Sequence, residues 1–180
     1  AIQKRLRARY DRFQSWVRSC GFDYADGICW GNPDERPIRA MHTHNLGWIT
    51  HSALEFLDAQ QGSDQPFFLY VAPTALHGPH HLDSLYSDGR ITEAGLQETD
   101  YATALPPRRT IPERLEQAGL AVNHHNAGML WIDDLVGRLL DKLDRMGLAE
   151  DTLVIHTADH GCGNRGKFTL YEGGLRIPFA

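Results

Sequence analysis

The residues best suited to chemistry gather near the end of the sequence. They run Asp159-His160-Gly161, then Arg165 and Lys167, then Glu172-Gly173-Gly174 and Arg176. A carboxylate beside an imidazole suits a divalent cation. A lysine close by suits an anionic oxygen that gains charge in a transition state. A second group, His77, His80 and His81, follows an earlier apolar run, Pro66 to Ala72. Both groups lie just after apolar runs. Open α/β sheets place their ligands there, beyond the carboxyl ends of the strands.

Each of these residues also has a plainer reading. A strand-end aspartate often caps the next turn. His80 and His81 in a polar loop read as solvent-exposed. His124 and His125, at the start of a long helix, read as surface residues. Asp133-Asp134 reads as solvated helix surface, because adjacent helical residues point in different directions. Glu172 and Arg176 read as an internal ion pair that fixes the loop. Cys162 lies beside the Asp-His pair, but a reactive thiolate needs a specific electropositive setting. Cys20, Cys29 and Cys162 form no C-x-x-C pair and read as free thiols.

The elements that must position these residues are legible as periodicity. Ile2, Leu6, Tyr10, Phe13, Val17 and Cys20 recur at helical spacing, and Gly21 supplies a stop. Residues 22–42 are broken by glycine and proline and read as loop. Leu46, Ile49, Ala53, Leu54 and Leu57 predict a second helix, with Thr43 as N-cap. Pro66 to Ala72 predicts a buried strand. Pro73 to about Glu113 reads as a long irregular segment, of the kind that is functional or disordered. Met129, Ile132, Val136, Leu139, Leu140, Leu143 and Met146 predict a long helix ended by Gly147, and Thr152 to Thr157 a second buried strand. Helices alternating with wholly apolar strands predict an α/β fold, a mainly parallel sheet with helices on both faces.

The chain has 180 residues, 42% hydrophobic and 23% charged, enough for one domain with its own core. Its net charge is −5 and its pI near 6.0, which gives no electrostatic case for nucleic acid as the main partner. No apolar run is long enough to span a membrane. The sequence opens inside a helical pattern without Met and stops where a new strand begins. That predicts an internal piece of a longer protein.

Three segments carry a family resemblance. Pro66-Phe-Phe-Leu-Tyr-Val-Ala-Pro-Thr-Ala-Leu-His77-Gly-Pro, Asp134-x-x-Val-Gly137-Arg-Leu-Leu-Asp-Lys-Leu, and Asp151 to Pro178 resemble, in order and spacing, the middle of a formylglycine-dependent sulfatase of the alkaline-phosphatase superfamily. The resemblance implies that residues 1–180 are a fragment of one catalytic domain, with the N-terminal nucleophile region and a C-terminal subdomain lying outside it. It implies that Asp159 and His160 hold a divalent cation, usually Ca2+. It also implies that Lys167 contacts the sulfate group and the leaving oxygen, and that His77 contacts one of the two. The implied partner is a sulfated small molecule or carbohydrate, with no nucleic acid and no membrane span, in a periplasmic or extracellular setting.

The sequence holds no C/S-x-P-S-R motif for a formylglycine and no paired first-strand aspartates. In the family both lie N-terminal to the segments matched. Leu76 stands where relatives have a proline before His77. The expected function is metal-dependent hydrolysis of a sulfuric ester by the parent protein. The alternatives are a phosphoester or phosphonoester hydrolase of the same superfamily, and a catalytically inactive binding relative.

Overall fold

The computed structural model describes residues 1–161, 166–167 and 169–180. These divide into two compact units, Ala1–Met146 and Gly147–Ala180. Along the first unit run α1 (Ile2–Ser19), α2 (Leu46–Gln60), the one-turn α3 (His81–Ser84), β1 (Ile91–Thr92), β2 (Gly95–Leu96), α4 (Ile111–Gln117) and α5 (His124–Met146). The second unit contains α6 (Glu172–Leu175). No helix among the described residues is long and apolar enough to cross a membrane.

Helices form at all three stretches where periodicity predicts them. The cap of α2 is not the predicted one. Asn45, not Thr43, accepts from the Trp48 N–H at 3.2 Å. Its amide group then donates to Gly89 O at 2.9 Å and Ile91 O at 2.8 Å. One side chain thus starts the helix and fastens the hairpin, which a threonine hydroxyl is too short to do.

The core joins Leu46 and Ile49 of α2 to Ile111 and Leu115 of α4 and to Ala127, Trp131 and Leu135 of α5. The buried seam of α5 is therefore rotated from the predicted one. Trp131 and Leu135 face inward, whereas Met129 and Leu140 lie at the surface. The stretch after Pro73, predicted to be irregular, also supplies the core. Leu85, Leu105 and Ile111 are buried in it. It carries α3, the β1–β2 hairpin and α4, elements too short to leave a periodic signal.

Two ion pairs tie segments together. Arg36 Nε lies 2.8 Å from Glu93 Oε2, Glu93 being buried and Arg36 largely so. Asp134 accepts two bonds from Arg114, at 2.7 and 2.6 Å. Asp134 is buried and Asp133 exposed. The solvated reading of that carboxylate pair is thus wrong for Asp134. A buried carboxylate needs such a partner to offset its lost hydration.

The two predicted buried strands are not strands among the described residues. Residues 66–72 carry no ladder, with Phe68 74% and Tyr70 69% exposed. Residues 152–156 are likewise unpaired along most of their length, and Leu153 is 85% exposed. A run of apolar residues becomes a buried strand only where neighbours pair its backbone and cover both faces. The sheet described is a two-stranded antiparallel hairpin, with Ile91 opposite Leu96 and Thr92 opposite Gly95.

Candidate functional site

In the second unit, a short antiparallel pairing positions the Asp-His pair. His156 N–H donates to Ala180 O at 2.8 Å and Ala180 N–H returns to His156 O at 3.0 Å, making an isolated bridge between Thr157 and Phe179. Thr157 Oγ1 donates to Pro178 O at 3.0 Å. Four residues on, Gly161 N–H donates to Gly174 O at 2.9 Å. Asp159 and His160 are held between these two attachments.

Two glycines allow this close approach. A Cβ on Gly161 would sit 2.3 Å from Gly173 O, and one on Gly174 would sit 2.4 Å from Gly166 O and 2.5 Å from Thr169 O. No side chain fits at either place without moving backbone. The turn around α6 therefore draws the residue after His160 and the residue before Lys167 against the same short helix. The glycines of the Glu172-Gly173-Gly174 stretch are packing devices for the loops that carry the charged groups.

Asp159 is exposed and His160 half-buried. Asp159 Oδ1 accepts from the His160 N–H at 3.0 Å, and its Oδ2 lies 3.6 Å from His160 Nε2. His160 Nδ1 donates to Gly161 O at 2.9 Å. In the neutral ring that bond leaves Nε2 as the acceptor nitrogen, the form that ligates metals. The donor set suits a divalent cation in part. A hard cation such as calcium takes six to eight oxygens, and among the described residues no group of three His, Cys, Asp or Glu side chains converges. Lys167 is half-buried. Glu172 and Arg176 do pair, at 3.5 Å, but both side chains are exposed, so the pair is not internal.

His77 belongs to the first unit and is exposed. Its Nδ1 accepts from the Gly78 N–H at 2.9 Å, which puts the proton of the neutral ring on Nε2. Asp34 Oδ1 lies 3.8 Å from the same nitrogen. The turn bearing His77 is braced from beneath by His44, which is fully buried. His44 Nε2 donates to Pro79 O and its Nδ1 pairs with Thr74 Oγ1, each at 2.9 Å. Sequence reasoning missed both Asp34 and His44. Asp34 leaves no signal in a proline-broken loop, and His44 gives only a helix-entry pattern.

The remaining histidines form a stack. His81, expected at the surface, is fully buried. Its Nδ1 lies 2.9 Å from His124 Nδ1, and its ring stacks on His44 at 4.6 Å. Burial first, then the neighbouring His44 and His124, pushes its pKa down to about 4. Its Nε2 has no hydrogen-bond partner among the described residues. His80 and His125 are exposed, as expected. Cys20 and Cys29 are free thiols, and burial pushes the Cys29 thiol up to about 11. Cys162 and Arg165, both weighed for chemistry, lie outside the described residues.

Comparison with known proteins agrees with these motifs. The family model described as Sulfatase matches residues 17–179, so the chain belongs to the sulfatase family. That family implies an alkaline-phosphatase-like α/β fold. Among its relatives is N-acetylgalactosamine-6-sulfatase from Mus musculus, 30% identical over 81% of this chain and 25% of that protein. N-sulphoglucosamine sulphohydrolase from Homo sapiens is 33% identical over 74% of the chain and 28% of that protein. Ulvan-active sulfatase from Formosa agariphila is 26% identical over 96% of the chain and 34% of that protein. The chain thus spans about a quarter to a third of the length of these relatives.

Proposed function

We propose that the protein is a metal-dependent sulfuric ester hydrolase acting on a sulfated carbohydrate or small molecule. One observation carries this reading: the sulfatase match runs through Asp159, His160 and Lys167, whose loops are locked by glycines against α6. In the whole protein, residues 66–72 and 152–157 are strands of a mainly parallel sheet in one catalytic domain. The nucleophile is a formylglycine outside these 180 residues.

Asp159 and His160 would hold a divalent cation, usually Ca2+, which supplies positive charge where the sulfate oxygens bind. A formylglycine there would supply the nucleophilic oxygen of the reaction. Cleavage of the S–O bond leaves charge on the departing oxygen. The Lys167 ammonium offsets that charge. His77 Nε2, which carries the ring proton when Nδ1 accepts from Gly78, would donate a hydrogen bond to a sulfate or leaving-group oxygen.

The test is turnover of a chromogenic aryl sulfate by the full-length protein with added calcium. Turnover is expected, lost on chelation and on Asp159→Ala. The 180 residues alone are expected to be inactive. Faster turnover of an aryl phosphate would move the assignment to phosphoester hydrolysis. No turnover of either ester would favour an inactive binding relative.

A further inference from the structure

α1 has two faces. On the inner face Gln3 Nε2 donates to Leu96 O at 2.8 Å, and Gln14 Nε2 donates to Ala25 O at 2.8 Å. Between them Tyr10 is buried, and its hydroxyl donates to Asp26 Oδ1 at 2.5 Å. Arg5, Arg9, Arg12 and Trp16 recur at spacings of four and three, so they form one stripe on the roughly opposite side.

The end of that stripe is a cradle. Trp16 is 60% and Trp30 57% exposed. The Phe13 ring meets Trp30 edge-on at 4.7 Å and stacks on Trp16 at 5.8 Å. The Arg9 guanidinium lies over the Trp30 ring at 5.4 Å. Arg9, Arg12, Phe13, Trp16 and Trp30 line an open cavity of about 370 Å3. Arg7 pairs with Asp11, but among the described residues Arg5, Arg9 and Arg12 form no ion pair. The helix carries Lys4, Arg5, Arg7, Arg9, Arg12 and Arg18 against Asp11 alone, in a protein whose net charge is −5. Charge of that sign concentrated on one helix calls for an anionic partner.

We propose that this cradle binds a sulfated saccharide unit. The apolar face of the sugar ring lies against Trp16 or Trp30, and its sulfate group is held by Arg9 and Arg12. Arginine presents several donors in a fixed fork, which matches a tetrahedral oxyanion. Indole gives a flat apolar platform with a polar edge. Three clustered aromatic rings beside two arginines fit one substituted sugar ring. It is a poor fit to a nucleic acid, whose phosphate spacing rewards a long basic track. The proposal rests on the sulfate-ester reading above. It adds a place where a polymeric substrate is held by residues that take no part in the proposed chemistry.

The experiment uses the full-length protein, sulfated carrageenan oligosaccharides and the same oligosaccharides after desulfation. Binding is read by affinity electrophoresis, and hydrolysis by the aryl sulfate assay. Sulfated oligosaccharides are expected to bind, with Kd rising about tenfold or more in Trp16→Ala and in Arg12→Gln. Both sites are exposed helix positions, and circular dichroism checks that the variants fold. Aryl sulfate turnover should be unchanged in both. Trp16→Phe should retain most of the binding. Equal affinity for the desulfated form would overturn the proposal, as would a loss confined to the arginine variant or equally tight binding of an oligothymidylate. If tryptophan-dependent binding persisted in a protein with no aryl sulfatase activity, the hydrolase reading would fail and the cradle would stand.

Discussion

The histidine stack of the first unit and the Asp159 segment of the second are built from the same side-chain types to opposite ends. His81 is sealed from water, stacked on His44 and bonded to His124, and burial keeps it neutral. Asp159 lies in solvent, in a segment attached by backbone hydrogen bonds on either side of it. In the first region the imidazoles fill space and satisfy turns, so their loss should register as instability. In the second, glycine packing does the holding, so the charged groups can change without disturbing the fold.

The widest separation between the regions should appear on truncation. Trp131→Ala removes the largest fully buried side chain of the first unit. It should lower stability by about 3–5 kcal/mol, read as a shift in urea midpoint. Asp159→Ala should leave that midpoint within about 0.5 kcal/mol. An equal shift in both variants would erase the distinction drawn here.

Lys167→Ala sharpens the same contrast from the catalytic side. In the proposed reading its charge acts on a developing anion, so turnover should fall about 10²–10³-fold, roughly 2.7–4 kcal/mol. Stability should change little. Near-normal turnover with a lowered melting point would make Lys167 structural and remove the case for an anion site in this segment.

The histidine stack should announce itself through pH. The folded-state pKa of His81 is lowered to about 4, and those of His44 and His124 are also lowered. The unfolded chain therefore binds more protons between about pH 6.5 and 4. Stability should be flat above that window and fall through it by up to about 3 kcal/mol from His81, since each pKa unit is worth about 1.36 kcal/mol. Urea midpoints at pH 7 and pH 5 measure the slope. His81→Asn should flatten it, and an unchanged slope in that variant would show the stack does not control acid stability.

The two regions were also unequally legible in the sequence. The long helices follow from period alone, because a face repeated over several turns outvotes local exceptions. His80 and His81 are the same residue type side by side, yet one is exposed and the other fully buried. Their difference is set by His44 and His124, which lie far away along the chain. Asp133 and Asp134 diverge for the same reason, through Arg114 twenty residues upstream. The runs at 66–72 and 152–157 read as buried strands from their apolar residues, but burial and pairing depend on neighbours that a local pattern does not encode. By contrast the stretch holding Asp159, Lys167 and Glu172 stands out by residue type and family resemblance, and the sulfatase match over residues 17–179 covers it.

The smallest expected effect tests whether surface charge matters at all in the second unit. Glu172 opens α6 and Arg176 follows its last residue, and the two pair at 3.5 Å with both side chains exposed. Such a pair gains little in high dielectric and costs side-chain freedom, so Glu172→Gln should change stability by at most about 0.5 kcal/mol. The turn does not depend on it. Gly174 N–H donates to Tyr171 O, Arg176 N–H donates to Glu172 O, and Gly161 N–H donates to Gly174 O, at 2.8, 2.8 and 2.9 Å. Those bonds involve only backbone and survive the substitution. The Asp159 loop should therefore keep its position, and aryl sulfate turnover in the full-length protein should stay near the unsubstituted value. A loss of both stability and turnover in Glu172→Gln would mean that the carboxylate, and not the glycine frame, holds the loop. The exposed region would then be ordered by charge, and the contrast with the buried stack would have to be redrawn on that basis.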